Sequence, residues 1–321
     1  MRARHAEGTK YFMGKMTSIG GQALLEGIMM RGPEKSAMAV RNTEGEIVIE
    51  MDETKGKDRA KFFKLPFVRG IFNMYDSLTY GYKCLMRSAE ISGLDEEENK
   101  KKEGKKPSKW DAVFEKLMMP IATVLAVVLA VGLFFYLPMQ LWKWIAAPLP
   151  VVADNYFLRA FFEGIVRIIV FVGYVWATSL MKDIRRTYMY HGAEHKTIFC
   201  YEAGLPLTVE NVRKQRRQHP RCGTSFLILT LIVGIVISMF IRIDFLPLRM
   251  AVKLLTFPIV IGAGYELIKL AGRKNNAFTR IISKPGMWLQ NLTTREPDDS
   301  MIECAIAAME RVIPEDDSDR W

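Results

Sequence analysis

Four long apolar blocks, at 117–137, 157–180, 226–241 and 251–270, alternate with polar stretches along the chain. Each is close to the roughly 20 apolar residues that a helix needs to cross a bilayer. The third is the shortest, and the second carries Glu163 and Arg167 within it. The pattern predicts a mainly α, polytopic helical membrane protein with about four transmembrane helices, paired as two hairpins over 111–181 and 222–272.

Outside these blocks the periods are different. The segment SIGGQALLEGIMMRGP, residues 18–33, mixes glycines with apolar residues, which predicts sharp turns or a backbone that approaches something closely. It lacks the spacing of a phosphate loop. Residues 37–40 and 46–50 flank Asn42-Thr43-Glu44-Gly45 and predict a β-hairpin, so the N-terminal region holds a small β-element. From 61 to 88 aromatic and aliphatic residues recur among Arg and Lys, as in an amphipathic helix lying at a membrane surface or packed in a soluble domain. The stretch 95–109 has almost no apolar residue and reads as a flexible linker. A short amphipathic helix is expected over 301–309, after the acidic Asp298-Asp299-Ser300. The resulting map is an N-terminal cytoplasmic region (1–91), a charged linker (92–110), the first hairpin (111–181), a cytoplasmic loop (182–221), the second hairpin (222–272) and a cytoplasmic tail (273–321).

A net charge of +10 raises nucleic acid as a partner. The basic residues instead flank the apolar blocks and form no stripe interleaved with aromatics, so the reading is no nucleic acid and a lipid bilayer as the surroundings. By the positive-inside rule the Lys-rich segment before the first block, the loop 182–221 and the tail after Lys269 are cytoplasmic. The connections 137–155 and 242–250 carry few basic residues and read as short outer loops. The expectation is a multi-pass protein of the bacterial plasma membrane with both termini in the cytoplasm. Residues 1–15 contain no apolar core of signal-peptide length. Cys84, Cys200, Cys222 and Cys304 fall on the predicted cytoplasmic side, where thiols stay reduced.

The candidate chemistry is concentrated in the loop between the second and third blocks, which holds three of the four histidines. In His191-Gly-Ala-Glu194-His195 the histidines stand at i and i+4, on one face of a helix, with Glu194 beside them. The order H-x-x-E-H is the inverzincin signature, in which the histidines bind zinc and the glutamate is general base toward metal-bound water. His219 and Cys222 add an H-x-x-C pair. With all four ligands bound the metal is closed and structural; with three, one position stays open and Glu194 becomes catalytic. Glu202 is a further candidate ligand if the helix runs so far, although Gly204 and Pro206 predict its end there. Arg213, Lys214, Arg216, Arg217 and Arg221 fix topology and suit anionic lipid headgroups. Within the blocks, Glu163 and Arg167 are spaced as a helical ion pair, marking a bundle contact or polar pocket, and Glu266 is a third charge near a cytoplasmic end.

The motifs IGGQALLEGIMMRGP, FEGIVRIIVFVGY, MKDIRRTYMYHGAEHKTIFCYE, HPRCGTSFL, YELIKLAGR and PGMWLQNLTTREPDD, spread almost end to end, make the chain resemble the YqhQ-like bacterial membrane proteins. That resemblance implies a metal-dependent enzyme with a site at His191, Glu194, His195, His219 and Cys222. The leading expectation is a hydrolase-like membrane metalloenzyme acting on a lipid-linked or membrane-protein substrate, with a divalent metal such as zinc. The alternatives are a non-enzymatic scaffold or accessory to a membrane complex, its metal structural or missing, and a transporter using Glu163, Arg167 and Glu266, for which four spans would call for a homo-oligomer.

Overall fold

A computed structural model describes residues 16–53, 60–94, 109–149, 154–273, 276–316 and 318–320. Residues 1–15 and 95–108, the greater part of the predicted linker at 92–110, lie outside the described residues.

The N-terminal region is a four-stranded antiparallel sheet in sequential order, β1 (Gly20–Leu24), β2 (Gly27–Arg31), β3 (Lys35–Arg41) and β4 (Ile47–Glu53). The expected hairpin is β3–β4, its turn closed by Asn42 Oδ1, which accepts from the Glu44 and Glu46 amides at 3.1 and 2.8 Å. The glycine-rich segment adds a second hairpin that its composition does not announce. Side chains alternate across a strand. Ile28, Met30, Ala37 and Ala39 therefore line one face of the sheet, and Leu24, Met29, Met38 and Val40 the other.

A 3-10 turn at Lys61–Lys64 leads into α1 (Val68–Ile91), which brings Cys84 against the second face. Next come α2 (Lys109–Val131), a π-helical turn (Gly132–Tyr136) and α3 (Leu137–Ala146), which continue one another. The outer loop expected from 137 is thus helical as far as Ala146. They are followed by α4 (Tyr156–Thr178), α5 (Lys182–Glu202), α6 (Val209–Arg213) and α7 (Gly223–Ser238). The chain closes with α8 (Leu246–Leu255), α9 (Phe257–Arg273), α10 (Ala277–Thr293) and α11 (Asp299–Glu310). Helix ends follow local chemistry: Asp298 caps α11 through the Met301 amide, and α5 stops before Gly204, whose φ of 66° suits a glycine.

Two helices are long and apolar enough to cross a bilayer, Pro120–Ala146 and Tyr156–Thr178. The pair α8 and α9, bent by 41°, makes a third if taken as one, and α7 is apolar but has only 16 residues. By length and composition the described residues therefore hold two or three such helices rather than the four expected. The break in the last of them has a local cause, because Pro258 cannot donate to the carbonyl one turn back.

Two bodies of packing result. The sheet's first face is covered by α5 and α11, whose Tyr190, Ala193, Met301, Ile302 and Ala305 join its core. In the helical group α7 is central, packed by α4, α9 and α10. Where α5, the start of α7 and the end of α10 converge, the candidate site lies.

Candidate metal centre

His191 and His195 stand one above the other on α5, ring centroids 4.4 Å apart. The helix is pressed against the segment that follows α10, and Gly192 permits it: a Cβ there would sit 2.0 Å from the Arg295 carbonyl oxygen. The Arg295 amide donates to the Tyr188 carbonyl at 2.8 Å and fastens the two. Cys222 arrives from the other side as the N-cap of α7, its sulfur accepting from the Thr224 amide at 3.5 Å. His191 Nε2 lies 3.1 Å from Cys222 Sγ. One ligand atom from each of His191, His195 and Cys222 falls within 4.8 Å of the other two.

Backbone carbonyls orient both rings. His191 Nδ1 donates to the Thr293 carbonyl at 2.8 Å, and His195 Nδ1 to the Arg217 carbonyl. These bonds leave the Nε2 atoms for the cluster. His195 is 1% exposed, and its Nε2 has no hydrogen-bond partner within the protein. Burying such a nitrogen unsatisfied costs about 1–3 kcal/mol. Two imidazole nitrogens and a thiolate, with the outer nitrogens given to carbonyls, match the donor set and outer-shell support of zinc and similar borderline cations.

Electrostatics couple the His191 ring to the Cys222 sulfur as a cation facing an anion, so a metal binding there would displace the proton of the ring. Burial lowers His191, but the Cys222 sulfur and the Glu194 carboxyl outweigh it and raise the ring to about 9. Burial would raise the Cys222 thiol, yet the charges on His191 and His195 overcome it and hold the thiol well below its ordinary range. That shift favours the thiolate, which is the form that binds metal. Glu194 is fully enclosed beside them, and burial raises its carboxyl although both histidines pull it down. It accepts the Gly21 amide of β1, and a Cβ on Gly21 would meet the Glu194 carboxyl carbon at 3.0 Å and the Met29 carbonyl oxygen at 2.7 Å. The close approach expected of the glycine-rich segment is this one.

The remaining candidates lie elsewhere. His219 stands one ring further on, 5.6 Å from His195 between centroids, with Nε2 facing Glu202 at 3.6 Å and Arg221 at 3.3 Å. Burial lowers His219 to about 4 despite the hydrogen bond its ring donates to Glu202, so the ring is neutral near pH 7 and its contact with Glu202 is no ion pair. Glu202 is engaged by Arg221 and by the Thr17 amide at 2.9 Å, outside the three-ligand group. Glu266 bonds Arg69 of α1 at 2.7 Å. Glu163 and Arg167 pair at 3.3 Å inside the helical group. The four cysteines are all free and buried.

Residues 65–315 match the family described as protein of unknown function DUF1385. The chain belongs to that family. It is also 35% identical over 300 residues, 92% of each chain, to the uncharacterized protein YqhQ of Bacillus subtilis (strain 168). No solved structure matches it.

The DUF1385 match contains all three members of the metal-ligand group and starts after the sheet that supplies Gly21. It also contains residues that the sequence reading passes over. The Gln290 side chain accepts the His219 amide at 2.7 Å and donates to the His219 carbonyl at 2.8 Å, clamping the turn before Cys222. Gly286 lets α10 close on Ser225 of α7, where a Cβ would come within 2.4 Å of the hydroxyl. Only the motif PGMWLQNLTTREPDD, noted as part of the resemblance, hints at these roles.

Proposed function

We propose that this chain is an integral membrane protein that holds a divalent metal, zinc or a close relative, on His191, His195 and Cys222, and that it catalyses a hydrolase-like reaction with Glu194 as general base. The membrane part is supported by the helices of that group, on which Leu125, Val128, Ile169, Trp176, Val236, Leu255 and many other large apolar side chains are exposed. An apolar surface of that extent suits hydrocarbon, not water. With the loop 182–221 and both termini on the basic, cytoplasmic side of a bacterial plasma membrane, the metal group faces substrates at the inner surface, lipid-linked or protein.

The observation that carries the metal part is the buried, unpartnered His195 Nε2 beside the Cys222 sulfur. A cation bound there supplies Lewis acidity and makes water acidic enough to ionise near neutral pH. The chain's own groups do the rest. The Thr293 and Arg217 carbonyls hold the rings in register. Glu194, raised by burial and steadied by the Gly21 amide, takes the proton of the attacking nucleophile and returns it to the leaving group. Three protein ligands leave a position for substrate.

A second reading is favoured by the place of His219. A shift of its ring toward the group, 5.6 Å from His195, would give four ligands and a closed, structural site with Glu194 a bystander. Elemental analysis of the wild type beside Glu194→Gln and Cys222→Ser separates these. The open site predicts metal in the first two and loss in the third, with cellular activity lost in Glu194→Gln. Full activity of Glu194→Gln would support the structural site, and a metal-free wild type purified without chelators would overturn both.

A further inference from the structure

A second polar cluster lies inside the helical group, near the end of α7 remote from Cys222. Glu163 of α4 is 0% exposed and is engaged by Lys253 of α8, by Arg167 at 3.3 Å and by Arg249 at 3.8 Å. One turn earlier, Arg159 pairs with Asp244 at 2.8 Å. Arg159, Arg167, Arg249 and Lys253 are all buried, whereas of the two carboxylates they meet only Glu163 is buried and Asp244 faces outward, its side chain 72% exposed. Cations therefore outnumber carboxylates among the described residues of this cluster. Such an excess in a low-dielectric interior calls for a counter-charge. The protein answers it in part: Arg167 Nε donates at 2.7 Å to the Phe134 carbonyl, which belongs to the π-helical turn between α2 and α3. Arg249 Nε remains buried without a hydrogen-bond partner.

Against this cluster opens a cavity of about 380 Å³. Its walls are mainly apolar, from Val131, Phe134, Phe171, Leu231 and others; the hydroxyl residues Thr230, Ser238 and Thr256 also line it, and its charged groups are Arg167 and Lys253. A cavity lined mainly by hydrocarbon whose charged groups are two cations complements an anion attached to an apolar chain. We propose that this cavity binds an anionic amphiphile, a phosphate or carboxylate headgroup on a lipid chain, with the headgroup on Lys253 and Arg167 and the chain along α2 and α7. The site rests on the membrane part of the proposed function and is independent of the metal centre. Inorganic phosphate would leave the walls bare, and a zwitterionic lipid would bring its own cation into an already positive cluster.

The test uses full-length protein purified in a neutral detergent and titrated separately with phosphatidylglycerol, phosphatidylcholine of the same chains, oleate and inorganic phosphate. Binding is read by thermal shift and by native mass spectrometry. Phosphatidylglycerol and oleate should raise the unfolding temperature and give discrete adducts; phosphatidylcholine and inorganic phosphate should do neither. Lys253→Met should weaken phosphatidylglycerol binding roughly ten- to hundred-fold, the worth of one charge-assisted hydrogen bond. Because Lys253 also pairs with Glu163, a second variant keeps every charge. Gly234→Leu, whose first added carbon would stand 3.7 Å from Val260, fills the cavity and should abolish the adduct. Equal response to phosphatidylcholine, a matching response to inorganic phosphate, or unchanged binding in Gly234→Leu would overturn the site. Release of the protein from membranes by alkaline wash would instead overturn the membrane reading, and a change of metal content in these variants would contradict the independence of the two sites.

Discussion

Replacing Gly192 by alanine tests whether α5 is seated as closely as the metal group requires. On an isolated helix the change is favourable by about 1 kcal/mol. Here the sign should reverse. The new Cβ would lie 2.0 Å from the Arg295 carbonyl oxygen and 3.2 Å from its carbon, whereas ordinary carbon–oxygen contacts begin near roughly 3.3 Å. Relief takes a retreat of more than about 1 Å by one of two backbones, and the Arg295-to-Tyr188 hydrogen bond resists it. Overpacking of this kind costs about 1–3 kcal/mol and a weakened hydrogen bond about 1 kcal/mol more. After the gain in helix propensity is subtracted, a net loss of about 1–3 kcal/mol remains. The same retreat draws His191 Nδ1 off the Thr293 carbonyl, so metal affinity should fall at least about tenfold, as for other losses of outer-shell support. The assays are thermal unfolding of the metal-free protein and competition for zinc against a chromophoric chelator. Gly173→Ala in α4 is the control: nothing lies within 4 Å of its added Cβ, so it should be neutral or stabilising by up to about 1 kcal/mol. If the two variants behave alike in both assays, the close seating of α5 is refuted.

Glu194→Gln keeps an acceptor for the Gly21 amide but no longer takes a proton, so metal content should hold while cellular activity falls about 10²–10⁴-fold; growth at the wild-type level would remove Glu194 from the chemistry. Glu163→Ala strands the buried cations of α4 and α8 and should cost about 3–5 kcal/mol, visible as loss of monodisperse protein, whereas tolerance would mean that water reaches them. His219 gives a pH dependence. Its folded value of about 4 lies below the ordinary 6.5, so the unfolded chain takes up a proton that the folded one refuses as pH falls. Stability of the metal-free protein is whole above 6.5 and should decline toward pH 4 by an amount on the order of 3 kcal/mol. Denaturant melts across that range should show the decline shrink in His219→Gln, and an unaltered slope would refute the buried, neutral ring.

Some of this architecture is legible in the residues and some is not, for physical reasons. The apolar periods mark α2–α3, α4 and α7, and the H-x-x-E-H spacing places two imidazoles and a carboxyl on one helix. The Asn42–Gly45 turn announces β3–β4. The β1–β2 hairpin is hidden because glycine has low strand propensity, and what holds it is pairing with β3 and the seat of Gly21 on Glu194. Helix α10 has no expectation attached to it in the sequence: Pro285 and Gly286 weaken its helical signal, and what seats it is the close approach of Gly286 to Ser225. At the site, H-x-x-C puts His219 and Cys222 near the histidines of α5 but cannot tell which faces them. The turn between the two sends His219 to Glu202 and Arg221 and turns Cys222 inward as a helix cap. The carbonyls of Thr293 and Arg217 act through backbone atoms, which carry no side-chain signature.

X-ray absorption at the zinc edge, on protein purified without chelators and loaded with zinc, tests the metal group most directly. Two imidazole nitrogens at about 2.0–2.1 Å and one sulfur at about 2.3 Å, completed by a light atom, are expected, with the sulfur missing in Cys222→Ser. A shell of nitrogen and oxygen alone in the wild type, or zinc that washes away without a defined shell, would contradict it.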